Sequence, residues 1–309
     1  MKAARAAVLG IAFGIASVAA GADLVGSVRA ASDARNFTLA EQEIQSYRAS
    51  IGVTPEMLEA LSWLARGELD AKQYDHADGD AEEARKLVEQ ALAGRPLPPV
   101  LDNALGAAIE VHAAVLAANG NRPEAVAFLR KELAAYRGST VVPRIQKNIN
   151  LLTIEGKPAP ALDVSRWVGP QPRPLAALKG HPVLLFFWAH WCGDCKAEVP
   201  ILARLMQNYG PKGLQLVAPT QLYGYTAAAE ATPEQEIRYI DQVRKQYYAS
   251  LPMMPVPVSA ENFQSYGAST TPTLVLLDSR GIVRLYHPGA MNYESLAAKV
   301  RHIFAVPRS

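Results

Sequence analysis

The sequence holds only two cysteines, Cys192 and Cys195, in 309 residues. A fold stapled by disulfides needs more of them, spread along the chain, so that class is excluded. Zinc at the pair is argued against as well. Zinc takes four ligands, there is no second cysteine pair, and His181, His190 and His287 share no ligand spacing. An excess of charge is also missing. Lysine and arginine number 31 against 29 acids, a formal net charge of +2. Such a balance gives no electrostatic case for nucleic acid or an anionic membrane. Past the N-terminus, no segment reads as membrane-spanning. What is present is a half-hydrophobic chain long enough for two domains. Its one close pair of thiols points to local sulfur chemistry.

The first residues read as a targeting segment. Lys2 and Arg5 form a short basic start, and Ala6 to Ala20 is an uncharged, mostly apolar run. Its length suits a secretory signal better than a span, which wants ~20 apolar residues. Val18 with Ala20, or Val28 with Ala30, offer cleavage positions. Residues 1–30 are therefore expected to be a signal peptide or an N-terminal anchor, and the protein to be exported.

Residues 36–153 read as an all-helical domain. Thr54-Pro55-Glu56 opens a helix, with Met57, Leu58, Leu61 and Leu64 on one face. Further helices are expected over 80–92, 100–118 and 123–136, with a last one after Pro143. Gly-Arg-Pro at 94–96 and Asn-Gly-Asn at 119–121 punctuate them. The stretch Leu105 to Tyr136 resembles one tetratricopeptide-type hairpin. No second copy follows at a fixed period, and repeat arrays need several units, so an ordinary bundle is the competing reading.

After residue 156 the pattern changes. Val183 to Trp188 is a continuous apolar run suited to a strand buried on both faces. Leu214 to Ala218 is another strand candidate. Thr273 to Leu277 and Ile282 to Tyr286 flank Asp278-Ser279-Arg280-Gly281, a hairpin signal. Helices are expected over 195–208, 233–248 and 293–304. The alternation predicts an α/β sheet covered on both faces.

The chemistry lies in Trp188-Ala189-His190-Trp191-Cys192-Gly193-Asp194-Cys195-Lys196. This block follows the apolar strand and opens a helix. Free N–H groups and the helix dipole there stabilise a thiolate, the nucleophile of disulfide exchange. Three residues on, Cys195 is one helical turn away. Cys192 is expected to be the exposed attacking thiol and Cys195 the buried resolving one. No cofactor is called for, because the dithiol carries both electrons.

Residues 156–304 resemble the TlpA/ResA branch of the thioredoxin superfamily, bacterial reductases that are membrane-tethered or periplasmic. Gly156-Lys157-Pro158-Ala159-Pro160 resembles the family's GxxAP opening, and residues 188–195 its WxxWCxxC signature. Glu198-Val199-Pro200 matches its E-x-P, and Thr271-Pro272-Thr273 its cis-proline loop. Gly289 and the last helix follow in order, and residues 222–248 resemble its extra helical insert. The resemblance implies an α/β thioredoxin-like fold over residues 156–309, a central mixed sheet flanked by helices, preceded by the all-α domain. It implies that Pro272 lies against the dithiol and presents the Thr271 backbone to a substrate chain. It makes Glu198 the acid/base beside Cys195, and Trp188 and Trp191 the walls of the site. Two departures stand out. Phe186 occupies the place of thioredoxin's buried acid, and Gly193-Asp194 separates the cysteines where thioredoxin has Gly-Pro. Asp194 should raise the Cys192 pKa and favour a reducing poise. His190 is expected to be exposed.

The implied partners are protein disulfides and a membrane or periplasmic thiol donor; residues 36–153 lie outside the resemblance, and a partner-docking role is expected for them by analogy with helical-hairpin proteins. Two other readings stay open. A peroxiredoxin-like peroxidase wants Pro-x-x-x-Thr/Ser-x-x-Cys, which residues 181–191 lack. A non-enzymatic adaptor would use the helical domain for binding alone.

Overall fold

The computed structural model describes residues 23–227 and 229–305. Among these, seven helices come first: α1 (Leu24–Asp33), α2 (Phe37–Ser50), α3 (Pro55–Asp70), α4 (Tyr74–Leu92), α5 (Asp102–Ala118), α6 (Arg122–Ala135) and α7 (Val142–Thr153). Local chemistry explains the α3 start. Thr54 Oγ1 accepts the Met57 N–H at 3.2 Å, and Pro55 takes a position whose N–H would go unused. Alanines let the helices approach closely. Ala60 and Ala65 of α3, Ala77, Ala81 and Ala84 of α4, and Ala104 and Ala108 of α5 have no exposed surface.

One expectation about this half needs correction. Helix begins at Leu24, not at 36. Leu24 and Val28 are buried in the same core as α3, so the 24–30 end of the expected signal is folded protein. Cleavage at Val28–Ala30 would remove all of α1 up to Ala30 and leave only its last three residues. The alternative position at Val18–Ala20, and the apolar run before it, lie outside the described residues. By length and composition alone, the helix Pro99–Ala118 could cross a membrane. Its Leu105, Ile109 and Val111 are instead buried in the helical core.

The second half contains β1 (Trp167–Val168), β2 (Val183–Phe187), α8 (Gly193–Ala197), α9 (Val199–Tyr209), β3 (Gln215–Val217), α10 (Pro233–Tyr247), β4 (Val256–Pro257), α11 (Ala260–Tyr266), β5 (Thr273–Leu277), β6 (Val283–Pro288) and α12 (Tyr293–Ala305). Four strands form a mixed sheet in the order β3-β2-β5-β6. β2 runs parallel to β3 and antiparallel to β5, with Leu185 opposite Val275. This is a thioredoxin-like arrangement. The apolar run of β2 divides by the two-residue period of a strand. Leu184 and Phe186 share a core with α9, α10, α12 and the two cysteines. Val183, Leu185 and Phe187 join a second core with Phe263 and Tyr266 of α11.

One expected helix, 195–208, is broken at Glu198 into α8 and α9. Pro200 lacks an N–H and its ring crowds the preceding turn, so a continuous helix cannot pass. β1, β4 and α11 had no clear sequence signal, because strands of two residues carry no periodicity.

The two halves are tied together. Residues 156–159 pair with β6 and the turn before it: the Gly156 N–H donates to the Val283 carbonyl and the Ala159 N–H to the Gly281 carbonyl, both at 2.9 Å. Asn150 of α7 donates to the Tyr266 carbonyl at 2.9 Å. The Tyr286 hydroxyl donates to the same carbonyl at 2.8 Å.

Candidate active site

The block that opens the site leaves the end of β2 at Phe187. Trp188 is fully buried, and its indole N–H donates to the Ala218 carbonyl at 3.0 Å. Its ring packs on Tyr248, centroids 4.7 Å apart. Trp188 is therefore a core residue behind the dithiol, while Trp191 stands in front of it with 49% of its surface exposed.

Cys192 and Cys195 are joined as a disulfide. Cys192 caps α8, and its Sγ accepts the Cys195 backbone N–H at 3.0 Å. In the reduced protein the same donor faces the sulfur that ionises, which favours the thiolate. The expected contrast in exposure is small: Cys192 is 3% exposed and Cys195 not at all. The loop before β5 accounts for the cover over Cys192. Its Sγ lies 3.5 Å from the Thr271 carbonyl oxygen. The Thr271–Pro272 peptide is cis. The loop is pinned by the Gly289 N–H, which donates to the Pro272 carbonyl at 2.7 Å, and by the Thr273 hydroxyl, which donates to the Thr270 carbonyl at 2.6 Å. Gly193 and Asp194, between the cysteines, are exposed.

Glu198 follows α8 and is buried, 2% exposed. Its Oε1 accepts the Met291 N–H at 3.2 Å. Burial, helped by the Asp194 charge, holds its carboxyl above the usual range, against the opposing pull of the Met291 hydrogen bond. Phe186 is fully buried among the apolar residues behind the cysteines, so the buried carboxyl nearest them in sequence is Glu198. Together these residues make a dithiol at a helix start, flanked by a buried carboxyl and a backbone carbonyl that a bound chain could pair beside.

Residues 154–300 match the Redoxin family. They form a Redoxin-like domain. The domain is similar to the thiol:disulfide interchange protein DsbE of Xylella fastidiosa (strain 9a5c), 28% identical over 151 residues that cover 48% of this chain and 69% of that protein. It is similar to the thioredoxin-like protein YneN of Bacillus subtilis (strain 168), 28% identical over 47% of this chain and 78% of that protein. The thiol-disulfide oxidoreductase ResA of Oceanobacillus iheyensis is 29% identical over 42% of this chain and 60% of its own length. A thiol-disulfide isomerase structure from Corynebacterium glutamicum superposes with a TM-score of 0.42 at 18% identity, covering 49% of this chain and 98% of that one. The matched residues are thus similar to proteins named thiol:disulfide interchange proteins and thiol-disulfide oxidoreductases. Helices α1 to α7 precede the matched residues.

The active-site loop is braced through His190 by Glu236 and three tyrosines that the sequence did not single out. His190 is buried, not exposed as expected, with 1% of its surface accessible. Its Nε2 lies 3.0 Å from Glu236 Oε1 on α10, which is also fully buried. Burial holds the imidazole below its usual pKa, against the opposing pull of Glu236, and the ring's Nε2–H faces the carboxylate acceptor. Glu236 also accepts the Tyr223 N–H at 2.7 Å and the Gly224 N–H at 2.8 Å. Three donors thus satisfy one buried charge, the condition under which burial is tolerated. Tyr223, Tyr225 and Tyr239 set their rings edge-on to His190, and Tyr223 meets Trp191 with centroids 5.5 Å apart. The insert between β3 and β4 therefore holds the residue before Trp191 and the wall beside it. A separation of 46 residues hides this pair from any local reading of the sequence.

Proposed function

We propose that this protein is exported and reduces protein disulfides through Cys192, with Cys195 resolving and Glu198 moving the proton. The observation that carries the reading is the disulfide at the start of α8, set against the Thr271–Pro272 loop with the buried Glu198 after it. The Cys192 thiolate attacks one sulfur of a substrate disulfide, and the other leaves as a thiolate that takes a proton. Glu198 removes the proton of Cys195. The Cys195 thiolate then attacks Cys192, releasing the second substrate thiol and forming the Cys192–Cys195 disulfide. Two electrons have passed to the substrate, and a separate dithiol donor must return them. Pro272 and the Thr271 backbone would seat the substrate chain, and Trp191 would cover it. In this reading residues 24–153 form a helical domain that docks partners. Export rests on Lys2, Arg5 and the apolar run to Ala20. Cleavage at Val18–Ala20 would leave α1 whole.

Asp194 favours a reducing poise, although its exposure lets solvent screen the effect. Equilibration with glutathione tests it. The expected potential lies nearer about −270 mV, that of thioredoxin, than about −120 mV, that of a strong oxidant. A value at the oxidising end would overturn the reductase reading.

Glu198→Gln separates chemistry from stability. The raised carboxyl binds its proton more tightly in the folded chain than in the unfolded one. Its stabilising effect is therefore present in acid and lost as pH rises from the ordinary carboxylate range through the raised value. At neutral pH the glutamine variant should melt at a higher temperature than the parent. Release of the mixed disulfide should slow by about 10²-fold, the lower end of general acid–base effects. Stopped-flow turnover and calorimetry read the two arms, and an unchanged release rate would remove Glu198 from the mechanism.

A further inference from the structure

Glu68 lies on α3 with no exposed surface, and both its carboxylate oxygens are buried without a hydrogen-bond partner among the described residues. An ionised carboxylate in that position is costly unless a positive group meets it. Its neighbours are instead further electron-pair donors. Glu41 of α2 and His76 of α4 each bring a ligand atom, and the three atoms lie within 4.8 Å of one another. Asp80 stands one turn after His76 on α4, with its carboxylate against that of Glu68. Two ionised carboxylates have no proton to share, so this contact is not a hydrogen bond between charged groups. The Arg48 guanidinium, at the rim of the adjoining cavity, is already engaged by Glu83 at 2.6 Å.

We propose that Glu41, Glu68 and His76 form a binding site for a divalent first-row transition-metal ion, for which Zn²⁺ is the probe. One imidazole and two carboxylates from three helices make a three-donor set, with the fourth position left to water, as in open zinc sites. The nitrogen ligand favours ions such as zinc over magnesium or calcium, which take oxygen alone. Zinc ligands at about 2.1 Å from the ion stand about 3.4 Å apart, so side-chain rotations of about 1 Å complete the geometry. Exposed His76 and a cavity of about 110 Å³ bordered by Glu41 and Asp80 give the ion a way in. Bound there, it neutralises Glu68 and clamps α2, α3 and α4 together, far in sequence from the dithiol. The same groups have one other solution. Burial and the Asp80 neighbour push the Glu68 carboxyl up to about 8, and burial pushes Asp80 up to about 6, so the pair could hold a proton instead.

The test uses the untagged full chain in its disulfide form, so that no thiol competes for metal. After chelator treatment it is titrated with Zn²⁺ by calorimetry, with elemental analysis after dialysis. One Zn²⁺ per chain is expected, together with a zinc-dependent rise in Tm. His76→Ala and Glu41→Gln, at an exposed and a half-buried position, should keep the parent circular dichroism. Each should weaken zinc binding by at least about tenfold, the loss that even a neighbour of a metal ligand commonly produces. Binding that is absent, or unchanged in both variants, overturns the proposal. So does a Glu68→Gln variant that melts higher than the parent while zinc leaves the parent Tm unmoved, which identifies the shared proton.

Discussion

Cys195→Ala should turn the enzyme into a trap that accumulates mixed disulfides with its substrates. The backbone N–H that faces Cys192 Sγ at 3.0 Å survives the substitution, so the attacking thiolate keeps its stabilising donor. What is lost is the intramolecular thiol that ends the covalent intermediate. Turnover should fall by on the order of 10³-fold or more, as when a member of a catalytic unit is removed. Cys192→Ser should lose turnover equally and trap nothing, because the hydroxyl does not attack. Non-reducing electrophoresis followed by mass spectrometry reads the adducts. Failure of Cys195→Ala to form any adduct, or survival of turnover in Cys192→Ser, would remove the dithiol from the mechanism. The identity of the trapped chains would also show what passes over Trp191 and the Thr271–Pro272 loop.

Gly267→Ala should destabilise the whole chain by about 3–5 kcal/mol, as overpacking and a left-handed backbone add. Gly267 ends α11 with φ +59°, a conformation that costs an L side chain about 1–2 kcal/mol. The larger cost is space. A Cβ there would stand 2.3 Å from the Lys147 backbone N and 2.7 Å from the Lys147 Cα. Both belong to α7, so the clash cannot be relieved by turning a side chain. It must push α7 off α11 and strain the Asn150–Tyr266 hydrogen bond. Urea unfolding measures the loss, and limited proteolysis between 153 and 160 should become faster. A stability within about 1 kcal/mol of the parent would mean that the two halves do not depend on this contact.

The legible parts of the molecule were those in which a few consecutive residues decide the outcome. The apolar run from Val183, the Thr54-Pro55 helix start and the Asp278–Gly281 turn each carry their own signal, and the structure places a strand, a helix and a hairpin there. The dithiol was legible for the same reason. Strand, two cysteines three apart and helix are contiguous, and helix geometry alone puts Cys195 one turn from Cys192. Alanine-rich α1 was obscured because its composition runs on from the apolar segment before it. The break at Glu198 has a local signal in Pro200, which sits at the start of α9.

The sequence by itself determined that residues 192–195 carry sulfur chemistry at the start of a helix, because that depends only on neighbours in the chain. Tertiary structure alone decided that Cys192 lies under the Thr271 carbonyl, that His190 is buried on Glu236, and that Gly267 meets α7. Those facts depend on contacts between residues 46 to 120 positions apart. Burial and charge satisfaction act through such contacts, and no local pattern records which distant group will supply the partner.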